Sequence, residues 1–197
     1  MIQYFERLTH PKCVFSRNDI ITKIDLIPKK AGIYAWFFKK IPPRVPTVNC
    51  IRYGEKTLLY IGISPKRPPK KGKLSRQTLR NRIRYHYFGN AYGSTLRLTL
   101  GCILAEELGI QLRRVGSGNR MTFTVEGERI LSDWMDQNAF VSCVIYSTPW
   151  ELEQELLSSI SLPLNLRGNE NHPFYNTLFL IRSQARANAM ELPIVIE

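Results

Sequence analysis

Between Glu55 and Glu106 the chain carries no acidic residue. A stretch that long cannot neutralise its own cations, and it holds Lys56, Lys66, Arg67, Lys70, Lys71, Lys73, Arg76, Arg80, Arg82, Arg84 and Arg97. Over the whole chain 28 Lys plus Arg face 16 Asp plus Glu, a formal net charge of +12. That excess predicts a polyanionic partner, nucleic acid first and an anionic membrane surface second, with a merely solvated basic surface as the alternative. Cysteine is scarce. Cys13, Cys50, Cys102 and Cys143 form no CxxC pair and no Cys/His cluster with zinc spacing, and nothing in them argues for an oxidising compartment. No run approaches the roughly 18 apolar residues that a membrane span needs. The N-terminal residues are charged where a signal peptide requires an apolar run, so a cytoplasmic location without a membrane partner is expected. Internal repeats and low-complexity tracts are missing too. What remains is 197 residues, 44% hydrophobic, enough for one domain with a real core.

Residues 1–30 read as an N-terminal elaboration ending at Pro28-Lys29-Lys30. Apolar and aromatic residues dominate 31–38 and 57–63, which predicts two strands. The loop between them, 39–56, is broken by Pro42, Pro43 and Pro46. Pro65, Pro68, Pro69 and Gly72 forbid regular structure over 64–74. Ser75 is then expected to cap a helix over 76–88, closed by Gly89-Asn90, and Ser94 or Thr95 to open another that stops at Gly109. A hairpin over 112–124, within an insertion at 110–126, precedes a helix at 128–137 and a third strand at 140–146. Thr148-Pro149 opens a helix to about residue 159. An ordered loop spans 162–173, and a helix at 177–189 lies in a C-terminal extension, 171–197. The order predicts an α/β (α+β) layer structure with a small sheet over residues 31–170.

Two tripeptides, Gly32-Ile33-Tyr34 and Tyr60-Ile61-Gly62, would set two phenols on neighbouring strands. Leu79, Arg82, Ile83 and His86 fall at i, i+3, i+4 and i+7, so they share one helix face, which Leu79 and Ile83 turn inward. A buried arginine needs a partner, either an anion such as a scissile phosphate or a core-edge carboxylate. A histidine so placed is structural unless its neighbours say otherwise. Arg76, Arg80 and Arg84 form the opposite stripe, solvated or touching phosphate. Tyr85, Tyr87, Phe88 and Tyr92 offer stacking surfaces, although aromatics at helical spacing usually pack into a core. In the helix after the third strand, Thr148 and Glu151 make a capping box, Glu155 lies on the polar side, and Glu153 heads the apolar stripe of Leu156, Leu157 and Ile160. A carboxylate there needs a cation, and the candidates are a divalent metal and Arg82. Asn165 could orient a substrate or hold its own loop, and from spacing alone it reads as structural.

Taken together these residues resemble the GIY-YIG nuclease superfamily over residues 31–169. The two tripeptides are similar to the family's name-giving pair. Leu79-x-x-Arg82-Ile83 resembles its arginine-bearing helix, and Glu153-x-x-Leu156-Leu157 with Pro163-x-Asn165 resembles its metal-binding glutamate and downstream asparagine. The wide gap from Tyr34 to Tyr60, the Arg82-x-x-x-His86 helix and the Ser94-Thr95-Leu96-Arg97 helix start resemble the restriction-endonuclease branch. Ile63-Ser64 stands where repair-type members often carry a lysine. The resemblance implies a three-stranded antiparallel sheet flanked by helices. It also implies hydrolysis of duplex DNA with one divalent metal, Mg²⁺ or Mn²⁺, on Glu153. Arg82 would stabilise the phosphate. Tyr34, its pKa lowered by neighbouring cations, would be the general base, with Tyr60 positioning the water or the two phenols reversed. His86 would assist Tyr34, and Asn165 would position substrate. Lys66, Arg67, Lys70, Lys71, Lys73, Arg76, Arg80, Arg84 and Arg97, with the hairpin arginines Arg113, Arg114 and Arg120, would contact the DNA backbone. A homodimer, a repair or mobile-element nuclease and a catalytically silent binding module are the options that the resemblance leaves open.

Overall fold

A strand covered on both faces can be apolar throughout, and the two expected strands take that form. The computed structural model describes residues 2–197. Helices α1 (Ile2–Thr9) and α2 (Arg17–Thr22) and a 3-10 turn at Ile24–Leu26 lead into β1 (Gly32–Phe38). Strands β2 (Arg52–Tyr53) and β3 (Lys56–Ser64) follow. Helices α3 (Leu79–Phe88), α4 (Thr95–Ile103) and α5 (Ala105–Leu108) come next. The hairpin of β4 (Arg113–Val115) and β5 (Arg120–Thr122) precedes α6 (Thr124–Asn138), β6 (Ala139–Ile145), α7 (Pro149–Ser159) and α8 (Tyr175–Glu191). No described helix is long and apolar enough to cross a membrane.

The main sheet is antiparallel, in the order β2-β3-β1-β6. It has four strands where three were expected. Inside the proline-broken loop, Gly54 at φ +57 lets the chain reverse tightly, so that Arg52 and Tyr53 pair with Thr57 and Lys56. At the other edge, Phe15 exchanges two backbone hydrogen bonds with Val141, 2.8 and 2.9 Å, covering β6.

Register decides which side chains meet. Tyr34 stands opposite Gly62 and Trp36 opposite Tyr60. Because strand side chains alternate, Tyr34, Trp36 and Tyr60 share one face. They pack there with Leu79, Ile83 and Tyr87 of α3, Leu96 and Leu100 of α4, Leu131 of α6 and Leu178 of α8. Ile33, Ala35, Phe37 and Ile61 point the other way, against Leu8 of α1 and Leu152 and Leu156 of α7.

Two expected helix starts are corrected. Thr78, not Ser75, caps α3, accepting the Asn81 N–H at 3.4 Å, so the helix begins three residues later. Ser75 instead accepts from Gln77 N–H, the local turn that the proline-rich approach favours. At α7 the Thr148 hydroxyl bonds the Glu151 carboxylate at 2.8 Å rather than a backbone N–H.

Candidate active site

Tyr34, Tyr60, Arg82 and Glu153 line one cavity of about 820 Å³, bounded by β1, β3, α3, α7 and α8. Each reaches it for a local reason. The phenols come from paired strands. Arg82 comes from the inward face of α3, one turn before fully buried His86. Glu153 comes from α7, beside Leu152, which faces the core.

The two glycines of the tripeptides make room for this arrangement. A Cβ at position 62 would collide with the hydroxyl of Tyr34 and lie 2.6 Å from its Cζ. One at position 32 would collide with the Val144 carbonyl of β6 and lie 2.7 Å from Leu79 Cδ1 of α3. Gly62 is thus the seat of the phenol, and Gly32 lets β6 and the Leu79 side chain lie close against β1.

Tyr34 Oη lies 2.8 Å from His86 Nε2, and His86 Nδ1 lies 2.7 Å from Ser94 Oγ. Ser94 caps α4 and accepts the Arg97 N–H at 3.1 Å. Next to it, Thr95 Oγ1 lies 3.1 Å from Tyr60 Oη. One helix start therefore holds both phenols, Tyr60 directly and Tyr34 through His86.

The expectation of an acidified phenol is overturned. Burial, and next the nearness of Tyr60, hold the Tyr34 pKa well above 10, while Arg82 opposes this only in part. Burial raises Tyr60 as well. His86 is moved the other way, well below 6.5, first by burial and then by the charges of Arg82 and Arg97. It is therefore neutral at pH 7, with one ring nitrogen able to accept a hydrogen bond. A lowered histidine costs stability only in acid: its contribution is whole above the unfolded value, 6.5, and is lost as pH falls through the folded value. A protein with His86→Gln should lose less stability than the wild type between about pH 7.5 and about pH 5.5, the difference approaching ~1.4 kcal/mol per pH unit. His172, also lowered by burial, is present in both proteins and cancels. Urea unfolding at the two pH values reads this directly, and parallel losses would show that His86 titrates normally.

Arg82 is 8% exposed. Its Nη1 donates to the Gly93 carbonyl at 2.8 Å, and among the described residues no carboxylate lies within ion-pair distance. The Arg82–Glu153 pair considered from sequence does not form. Glu153 is likewise without an ion pair, and burial raises its pKa to about 7, against the weaker pull of Arg167 and Lys66. A half-buried carboxylate with no ion pair among the described residues, open to a cavity, fits a site for a cation. Among the described residues no cluster of three or more His, Cys, Asp or Glu exists, so a cation there would draw on few protein ligands besides Glu153.

Several expected contacts are corrected. Asn165 bonds the backbone of Ile61 twice, accepting from its N–H and donating to its carbonyl, both at 2.9 Å. Its amide stands in for a neighbouring strand at an open stretch of β3, so it braces Tyr60 from behind rather than holding substrate. Arg97 is fully buried, pairs with Glu128 at 2.7 Å and bonds the carbonyls of His86 and Tyr87, so it cannot reach a DNA backbone. Arg80 is tied to Asp25 at 3.0 Å and to the Ile27 carbonyl at 2.7 Å. Arg113 and Arg114 bond carbonyls after and at the end of α8, at Pro193, Ala189 and Leu192. Tyr87 is core, donating to the Ala139 carbonyl at 2.7 Å. Lys66 and Arg67 are exposed and line the cavity, and Lys70, Lys71, Lys73, Arg76 and Arg84 are exposed but do not line it.

Sequence reasoning missed what α8 contributes. Tyr175, Phe179, Arg182 and Arg186 line the cavity from that helix. Their spacing, i, i+4, i+7 and i+11, is one helix face, and two arginines one turn apart on it were a readable signal.

The family model described as the GIY-YIG catalytic domain matches residues 32–187, which takes in both tripeptides, Arg82, His86, Glu153 and most of α8. No curated protein and no solved structure matches the chain. The match covers most of the chain, including both strands that carry the phenols and the helices that carry Arg82 and Glu153, and the chain belongs to the GIY-YIG nuclease superfamily.

Proposed function

We propose that the chain is a divalent-metal-dependent endonuclease that hydrolyses phosphodiester bonds of duplex DNA, of restriction type. The observation that carries this is the hydrogen-bonded series Tyr34–His86–Ser94, which ends in the cavity beside Arg82 and Glu153, neither of which has an ion pair among the described residues. The exposed lysines and arginines of residues 66–76, of which Lys66 and Arg67 line the cavity, supply sequence-independent attraction to a phosphate backbone.

In this reading a water attacks the phosphorus in line and the bond to the leaving 3′-oxygen breaks. Tyr34 takes the water's proton while passing its own to His86 Nε2. A phenol with a raised pKa cannot stand as a free base at neutral pH, so the transfer to His86 is what makes Tyr34 basic. Tyr60 has only the Thr95 hydroxyl for a partner, which suits it to orienting the water. Arg82 donates to the phosphate as charge builds on it. The arriving phosphate also offsets the positive field of Arg82, which adds to burial in lowering the His86 pKa, so the imidazole gains basicity when substrate is in place. Glu153 would hold the metal, which when bound supplies charge neutralisation at the phosphate and the leaving oxygen. The restriction-type reading draws on Ser94 and Thr95: a helix start that orders both phenols gives a preassembled site for intact duplex.

The test is incubation with plasmid and phage duplex DNA in Mg²⁺, in Mn²⁺ and in chelator, resolved on a gel. Discrete metal-dependent fragments are expected. A metal-dependent smear, or a preference for branched DNA, would replace the restriction role by a repair or mobile-element one. Salt-sensitive binding without any cutting would point to a silent binding module.

A further inference from the structure

Helix α8 turns one polar and aromatic face to the cavity, and one residue on it has no partner that accounts for its place. Arg182 is only partly exposed, and its Nε is buried without a hydrogen-bond partner. Its one side-chain hydrogen bond is long, Nη1 to Thr99 Oγ1 at 3.4 Å. Among the described residues no carboxylate lies within ion-pair distance of it. Its neighbour one turn on is another cation, Arg186, at the same cavity. Burial, and then Arg186, push the Arg182 guanidinium below its ordinary pKa. An unpaired cation held in a partly dry place beside a like charge is costly, and nothing within the fold offsets it.

Its surroundings say what would. Arg182 reaches Thr99 on α4, one turn after Thr95, the partner of Tyr60, which puts it on the Tyr60 side of the cavity. On the same helix face the rings of Tyr175 and Phe179 stack at 6.3 Å and 17°, and Phe179 is 51% exposed, a flat apolar plate bordering the arginines. From Tyr175 to Arg186 the face runs about 17 Å at ~1.5 Å per residue, much longer than a single phosphate group. The helix is pinned, since Arg114 bonds carbonyls at and just after its C-terminal end. Two stacked rings followed by two guanidiniums on a rigid wall suit a nucleic-acid strand, rings for bases or sugars and cations for phosphates.

We propose that Arg182 contacts a phosphate of the bound strand adjacent to the one held by Arg82, and that the Tyr175–Arg186 face of α8 is the wall along which that strand runs. This rests on the nuclease reading above and adds a second phosphate subsite to it. Arg82 on α3 and Arg182 on α8 then grip neighbouring phosphates from two different helices, which fixes the strand's direction through the cavity and holds the scissile bond in line with the attacking water.

The experiment compares wild type, Arg182→Met and Arg182→Lys. Binding to a duplex oligonucleotide is followed by fluorescence anisotropy across a salt series in chelator, cleavage in Mg²⁺, and stability by thermal melting. Loss of one phosphate contact should lower the slope of log K against log salt by about 0.9 for Arg182→Met, with affinity about tenfold weaker at moderate salt and largely regained in Arg182→Lys. The melting temperature of Arg182→Met should stay level or rise, because an unsatisfied buried charge has gone. A structural arginine would do the opposite, lowering the melting temperature while the salt slope stays at the wild-type value, and that result would overturn the proposal. Wild type that cuts and binds with a slope identical to Arg182→Met would overturn this subsite alone. Wild type that neither binds nor cuts would remove the nuclease reading and this subsite with it.

Discussion

Glu153→Gln should abolish cleavage, by on the order of 10³-fold or more, while DNA binding stays as tight or tightens. The two effects separate because they have different origins. Glutamine keeps the shape of the side chain but has no charge to hold a divalent cation, so the support at the phosphate and leaving oxygen goes. For binding, the same change removes a negative charge from a cavity that must receive a polyanion. Stability should not suffer. Glu153 is held near a pKa of about 7 by burial, and a neutral amide avoids that cost. Gel cleavage and anisotropy on the one protein check both halves. A variant that cuts at the wild-type rate would remove Glu153 as the cation's ligand, and one that neither cuts nor binds would recast it as a folding residue.

The second large effect belongs to Arg82. Arg82→Ala should lower the single-turnover cleavage rate by about 10²- to 10³-fold, the usual scale for one preorganised donor facing developing charge. The protein itself gives a reason to expect the loss in rate rather than in binding. Arg82 is 8% exposed and fixed by Gly93, so it is already oriented before substrate arrives, whereas the exposed cations of residues 66–76 carry the general attraction. Arg82→Ala should also let the His86 pKa rise toward its ordinary value, since a cation beside it has gone. A loss confined to Kd would assign Arg82 a docking role instead.

The residues that could be read in advance were those whose pattern is local. The apolar strands of Tyr34 and Tyr60, and the face shared by Arg82 and His86, follow from periodicities of two and 3.6. Glu153 stood out as a charge at the head of an apolar stripe. What could not be read depends on partners far along the chain. Arg97 looks like its cationic neighbours until Glu128 folds over it. Asn165 looks like a turn residue until β3 is found to have an open edge there. The expected acidity of Tyr34 failed on magnitude, because burial outweighs one nearby guanidinium. β2 escaped notice because two residues inside a proline-rich loop carry no strand signal.

The place of Tyr34 is set partly by an atom that is missing. With no Cβ at residue 62, the phenol rests directly on the backbone of the adjacent strand, so the sheet itself acts as the jig for the hydroxyl. Sequence drift at that position is therefore visible to catalysis at once, with no intermediate in which activity declines by small steps as bulk is added. A lineage that gives up the chemistry but keeps the fold has an easy exit there: a single methyl that changes no charge in the cavity displaces the Tyr34 hydroxyl.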